Sequence, residues 1–426
     1  MNRGDTITVT TRDESYTGRF VQRRDNHVFI KLDSGYNIGI DNDRIDDVTV
    51  VEETTTDRSI DEPDQDMTLP TVNILHTGGT IASKVDYETG GVTNAYDVAE
   101  LLSLFPELHD HAHINSQYVF NKSSEDLRFA DYNTIIDHVE EAIADDPSGV
   151  IIAVGTDTMH YLGAALSFAL RGLPCPVVLV GAQRSSDRPS SDAARNLLSA
   201  VSFITSDDVT YNGVAVCMHG SIEDNEAYIH RGVNVRKMHT SRRDAFKSVN
   251  DTPLTTVSFD DYTVTEPVHE ATDEPFTAAT FDTDLRIGWH KARPHMPQDE
   301  LERFADYDGL IIEGTGLGHV GIDGSDDNNA IHDDIARIAD DIPTVMTSQT
   351  IHGRVNMQVY SHGRRLKDLG ILGHGHDETP ETAYVKLAWL LSQHDPDKAK
   401  QLYDANLAGE HTPNTHRNEY TNHYDR

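Results

Sequence analysis

Two threonines sit where threonine chemistry is possible. Thr80 follows the paired glycines of "HTGGTIAS", and Thr156 and Asp157 follow the apolar run "GVIIAV" in "VGTDTM". Gly78 and Gly79 let the backbone turn tightly at the end of a strand, which presents the Thr80 hydroxyl there. A threonine hydroxyl is a weak nucleophile until a neighbour takes its proton and donors stabilise the oxyanion that forms. The site therefore needs a base. A lysine serves if burial lowers its pKa, while an aspartate beside it orients the ammonium and opposes that shift. Spacing alone does not select the lysine.

Other chemistries compete for the same residues. The first turn has the outline of a phosphate loop, yet neither G-x-x-x-x-G-K-[ST] nor G-x-G-x-x-G is present, and "GTGLGHVG" from Gly314 reads as a glycine turn after a buried strand. Each threonine, and Asp157, could also be a helix cap. "HAHIN" and "GHGHD" carry H-x-H pairs, but no third ligand is spaced to join them, so no metal is expected.

The elements that must position these residues follow from hydrophobic periodicity. "TVNILH", "GVIIAV", "CPVVLVG" and "GVAVCM" read as buried strands, and Leu162, Ala165, Phe168 and Ala169 recur at helical spacing between two of them. That alternation predicts an α/β fold: a Rossmann-like, open parallel sheet, with ligands bound beyond the carboxyl ends of its strands. A third strand end, "GAQRSSDRPSSDAARN", brings Ala182 and its backbone to the pocket, while its polar residues read equally as loop and cap chemistry.

At 426 residues the chain is long enough for two or three domains. Residues 1–52 hold five short alternating segments, the pattern of a small SH3-like β-barrel, and residues 53–69 form an acidic, proline-containing linker. An α/β domain over 70–250 carries the motifs. A linker over 251–283, a smaller α/β domain over 284–405 closed by the helix "ETAYVKLAWLLSQ", and a polar, disordered tail over 406–426 complete the expected organisation.

The charge is lopsided. Against 71 Asp+Glu stand 35 Lys+Arg, a net charge of −36 spread along the chain. Such a surface repels a phosphate backbone and fits hydration in a high-salt cytoplasm, as in a halophile. Cys175 and Cys217 each lie in an apolar run and read as core. No apolar stretch is long enough to span a bilayer and the N-terminus lacks a signal-peptide core, so a cytoplasmic protein without membrane contact is expected.

"TGGTIAS" followed by "VGTDTM" resembles the bacterial-type L-asparaginase family, amidohydrolases with a catalytic threonine in each motif. "RGVNVRKMHTSRRDAFKSVN" is similar to the segment carrying that family's catalytic lysine, and counted from "FKSVN" the matching residue is Lys237, not Lys247. The resemblance implies that Thr80 attacks a side-chain carboxamide, with Thr156, Asp157 and Lys237 as the second catalytic group and Asp157 also meeting the substrate amine. It further implies that Tyr87 is a mobile lid residue assisting Thr80. Ser124 of "KSSEDL" matches a carboxylate-binding serine, with Ser123 beside it as the other choice.

The barrel and linker ahead of Pro70 depart from free-standing asparaginases. With "YNIGI", "GRVNMQVYSHGRRL" and "TPETAYVKL", they resemble the D-subunit family of archaeal glutamyl-tRNA(Gln) amidotransferases. That resemblance implies a glutaminase whose ammonia passes to a partner, the E-subunit. The partner binds Glu-tRNA(Gln) and uses ATP and Mg2+, so that this chain itself carries no cofactor. It also implies a homodimeric core within a heterotetramer. A free-standing asparaginase or glutaminase is the alternative. A binding protein on a dead scaffold is disfavoured, because Thr80, Thr156, Asp157 and Lys237 are all present.

Overall fold

The computed structural model describes residues 5–12, 14–24, 26–32, 37–52, 65–79, 83–85, 92–94, 106–185, 191–297 and 299–415. The first fifty residues form an antiparallel sheet of five strands, in the order Asn37–Asp41, His27–Lys31, Ser15–Arg24, Thr6–Thr11, Ile45–Glu52. Alternation decides which face is buried: Ile7 and Val9 point inward with Phe20, Val28, Ile30 and Ile40.

The central element is a sheet of seven strands. Across it run Thr255–Ser258, Glu226–Arg231, Val214–His219, Val177–Val180, Gly149–Ala153, Thr71–His76 and His113–Tyr118. Its middle strands are buried on both faces, so the sequence reads as unbroken apolar runs. In Gly149–Ala153, Val150 and Ile152 pack toward the helices Phe129–Ile143 and Met159–Ala169, while Ile151 and Ala153 pack toward the helix Ala193–Thr205.

The sheet is not wholly parallel as expected. Glu226–Arg231 runs antiparallel to Val214–His219, and Thr255–Ser258 runs antiparallel to Glu226–Arg231. The segment between residues 219 and 226 is too short for the helical crossover a parallel return needs, so the chain doubles back as a hairpin.

Two further expectations change. The supposed linker 251–283 contains the edge strand Thr255–Ser258, the strand Val268–Glu270 parallel to Val209–Tyr211, and Thr277–Ala278 paired with Leu170–Arg171. Its polar, irregular composition hid edge strands, which need only one apolar face. The tail is likewise anchored as far as it is described. Glu410 accepts from the backbone amides of Leu407 and Ala408 and pairs with Lys386 at 2.6 Å, with both side chains fully buried.

Residues 287–403 form a sheet of three parallel strands, Ile287–Lys291, Gly309–Gly314 and Thr344–Ser348, covered by the helices Asp326–Asp341, Ser361–Asp368, Pro380–Gln393 and Pro396–Tyr403. The helix Pro380–Gln393 begins where Thr379 caps it by accepting from the Thr382 amide, with proline's fixed φ at the first position.

Candidate active site

The strand ends deliver their turns to one place. Gly78 and Gly79 both have positive φ, +106° and +84°. A side-chain carbon at Gly78 would lie 2.6 Å from the Lys122 carbonyl, and one at Gly79 would lie 2.4 Å from the Gly155 nitrogen. Both the conformation and the space therefore demand glycine. Thr77 donates its hydroxyl to the Ala153 carbonyl at 2.9 Å, locking the first turn to the strand that leads into the second. Thr80 and Tyr87 lie outside the described residues.

Thr156 is buried, and its hydroxyl accepts from the Lys237 ammonium at 2.9 Å. The same ammonium donates to Asp157 Oδ1 at 2.7 Å. The lysine side chain is 9% exposed and the aspartate 65%, so the trio runs from the interior to the surface. Lys237 ends the strand Val235–Lys237, which pairs with Phe246–Ser248 with Lys237 opposite Phe246. Lys247 points elsewhere, toward the Gly220 carbonyl at 3.1 Å and Asp244 at 3.4 Å.

Ser124 and Ala182 line the same turns. Ser124 is buried against Gly155, accepts from the Thr158 amide at 3.3 Å, and receives the Thr158 hydroxyl on its carbonyl at 2.6 Å. Ser123, half exposed, precedes the short 3-10 turn Ser124–Asp126 without a side-chain cap bond. Ala182 is buried after Gly181, where a side-chain carbon would come within 2.8 Å of the Thr156 methyl. The third turn is held from beneath by Asp192, which accepts from the amides of Gln183 and Arg184 at 3.0 and 3.1 Å. Burial raises the pKa of this carboxyl, and those bonds oppose the rise.

Three supporting residues were not singled out in the sequence. Arg236, next to Lys237, donates to Glu381 Oε1 at 2.9 Å, and His160 Nε2 lies 4.0 Å from the same oxygen. Burial pushes the His160 pKa down to about 4, so its ring is neutral. Only the adjacency of Arg236 to Lys237 hinted at this group, because Glu381 comes from far along the chain. Among the described residues, no cluster of three His, Cys, Asp or Glu side chains could hold a metal, and no helix is long and apolar enough to cross a membrane.

Residues 71–269 match the asparaginase N-terminal family, residues 286–403 the glutaminase/asparaginase C-terminal domain, and residues 1–51 the GatD N-terminal domain. The glutamyl-tRNA(Gln) amidotransferase D-subunit of Methanobrevibacter smithii is 40% identical over 96% of this chain and 93% of its own length. The chain belongs to the D-subunit family. The D-subunit proteins of Methanothermobacter thermautotrophicus and Pyrococcus furiosus are 41% and 42% identical, over 96% and 92% of this chain and 93% and 89% of their own lengths. Among solved structures, the thermostable L-asparaginase of Thermococcus kodakarensis superposes with a TM-score of 0.71 at 30% identity, covering 81% of this chain and all of its own. L-asparaginase I of Vibrio cholerae gives 0.69 at 27% identity, covering 81% of this chain and 99% of its own. The D-subunit family thus shares its two α/β units with asparaginases and adds the N-terminal sheet.

Proposed function

We propose that this chain is the glutamine amidohydrolase component of a tRNA-dependent amidotransferase. The observation that carries this reading is the Lys237 ammonium held on both Thr156 and Asp157 at the carboxyl ends of the central strands. The Thr80 oxygen attacks the glutamine side-chain carbonyl, and collapse of the tetrahedral intermediate breaks the C–N bond and releases ammonia. Water then attacks the resulting ester, freeing glutamate and restoring the hydroxyl. Proton transfers run through Thr156 and Lys237. Asp157, at the surface, orients the lysine and meets the substrate's α-ammonium. Ser124 receives the α-carboxylate, Tyr87 assists Thr80, and the buried Ala182 backbone walls the pocket.

The ammonia is consumed elsewhere. A partner of the E type, bearing Glu-tRNA(Gln), ATP and Mg2+, converts the activated glutamate to glutaminyl-tRNA(Gln). This division of labour is supported by a net charge of −36, which suits a chain that leaves tRNA binding mainly to its partner. The same composition supports work in a salty cytoplasm, and the assembly is a homodimeric core flanked by two partner subunits.

The test is ammonia release from glutamine and from asparagine at high salt, by the chain alone and then with its partner, ATP and Glu-tRNA(Gln). Strong glutamine hydrolysis only in the full mixture supports the coupled role. Vigorous hydrolysis by the isolated chain, unaffected by partner or tRNA, makes it a free-standing amidohydrolase.

A further inference from the structure

The strand that presents Lys237 is three residues long and, among the described residues, pairs only with Phe246–Ser248, while Val235 anchors it in the core. In an extended strand successive side chains leave on opposite faces, so a grip on Arg236, opposite the buried Val235, holds the strand from its other face and with it the direction of Lys237. That grip comes from the helix Pro380–Gln393. Glu381 Oε1 accepts from Arg236 Nε at 2.9 Å and lies 2.8 Å from a terminal guanidinium nitrogen. The next residue, Thr382, donates its hydroxyl to the Val233 carbonyl at 2.8 Å, a second tie to the start of the same strand.

The carboxylate also faces the other catalytic segment. His160 stands four residues after Thr156, at the start of the helix Met159–Ala169, with Nε2 4.0 Å from Glu381 Oε1, too long for a hydrogen bond. Glu381 is 6% exposed and Arg236 29%. Burial alone would raise the carboxyl's pKa, yet the Arg236 bonds bring it below the usual range, so an ionised group is kept at this junction. Helix-surface carboxylates at an N-terminus are normally solvated. This one is turned inward, against the strand that carries the lysine.

We propose that Glu381 is a positioning residue for the amidase site: by gripping Arg236 and facing His160, it fixes the aim of Lys237 onto Thr156 and Asp157. The proposal rests on the amidohydrolase reading above. It makes the second α/β unit a part of the catalytic geometry, through a residue that touches no substrate.

The full chain is compared with Glu381→Gln, Arg236→Lys and the double variant in two measurements. In the first, kcat for ammonia release from glutamine falls about tenfold or more in each single variant while KM stays within about twofold, because the lysine is misaimed and substrate binding is intact. The double variant is no worse than the poorer single one, since the two residues act as one unit. In the second, which needs no turnover, reductive methylation of Lys237 is timed by peptide mass spectrometry with Lys247 as internal reference. Lys237 reacts several times faster in both single variants and Lys247 is unchanged. Arg236→Lys carries the test if Glu381→Gln fails to fold. Unchanged Lys237 labelling, or losses in kcat that multiply in the double variant, overturns the positioning role. A parent chain that releases no ammonia under any condition overturns the amidohydrolase reading instead, and the labelling rates still decide whether Glu381 aims Lys237.

Discussion

Gly79 and Gly155, the residues immediately before the two motif threonines, touch through their backbones. A side-chain carbon on Gly79 would lie 2.4 Å from the Gly155 nitrogen and 2.5 Å from its Cα. No rotamer relieves a clash with backbone, and the φ of +84° adds strain for any other residue. Gly79→Ala should therefore push the two turns apart, lowering stability by roughly 1 to 3 kcal/mol. Ammonia release should fall by a larger factor than stability alone explains. Denaturant unfolding set beside glutamine kinetics checks both.

Lysine identity separates cleanly by substitution. Lys237→Met should abolish glutamine hydrolysis, as should Thr80→Ala and Thr156→Ala, each with unaltered circular dichroism. Lys247→Met should leave most of the rate, because its ammonium serves the Gly220 carbonyl and Asp244 rather than the motif threonines. Near-normal turnover by Thr80→Ala would falsify the nucleophile assignment.

Acid should unfold the protein in two overlapping stages. Burial holds His76 and His160 down to about 4, below the ordinary 6.5. Each takes up a proton on unfolding, so its contribution is full above pH 6.5 and is lost as the pH falls from 6.5 toward 4, up to about 3 kcal/mol apiece. For Glu378, burial acts to raise the pKa, but Lys386 and His376 win and hold it at about 2. Its contribution is present above pH 4.5 and disappears between 4.5 and 2. Thermal melts at constant salt across pH 7 to 3 should decline steadily. A flat profile from 6.5 to 4 would show that the histidines are not buried neutral.

The pair Lys386 and Glu410 is shut away from water on both sides. Glu410→Gln should cost about 1 to 3 kcal/mol, since the buried ammonium loses its closest carboxylate and keeps Glu378 at 3.9 Å and the Ala405 carbonyl at 2.9 Å. Lys386→Met should cost more, because Glu378 at 3.9 Å then loses a counter-charge as well. Joint replacement of Lys386 and Glu410 by apolar residues should cost less than the two single losses added together.

Removing residues 1–53 should weaken coupling to tRNA-dependent synthesis or assembly more than glutamine hydrolysis, because none of the described site residues comes from that stretch. Loss of all amidase activity in a truncation that still folds would refute this separation.

Much of this molecule was readable from local pattern. Central strands such as Gly149–Ala153 are apolar on both faces, and the helix Pro380–Gln393 announces itself with Thr379 and Pro380. The turns carrying Thr156 and Ala182 follow from strand ends alone, whereas Lys237 needed a family likeness because its strand is too short to have a period. What escaped is non-local. Thr255–Ser258 hides in a polar stretch, since an edge strand must satisfy only one neighbour. Glu381 looks like any acidic residue in a first helical turn, and nothing in "TPETAY" discloses that it faces Arg236. Glu410 likewise sits among polar residues that read as tail, and only the ammonium of Lys386 makes it a core position.

That late pairing orders events during synthesis. Chains emerge from the ribosome N-terminus first and fold unit by unit as they do so. The amidase turns, the lysine strand and Lys386 are all made before Glu410, so the newborn second unit carries a buried cation with its nearest counter-charge still untranslated. Until Glu410 is made, the Lys386 ammonium has the more distant Glu378 carboxylate, 3.9 Å away, to balance it, so the core of that unit is completed by a residue that follows all of its strands and helices.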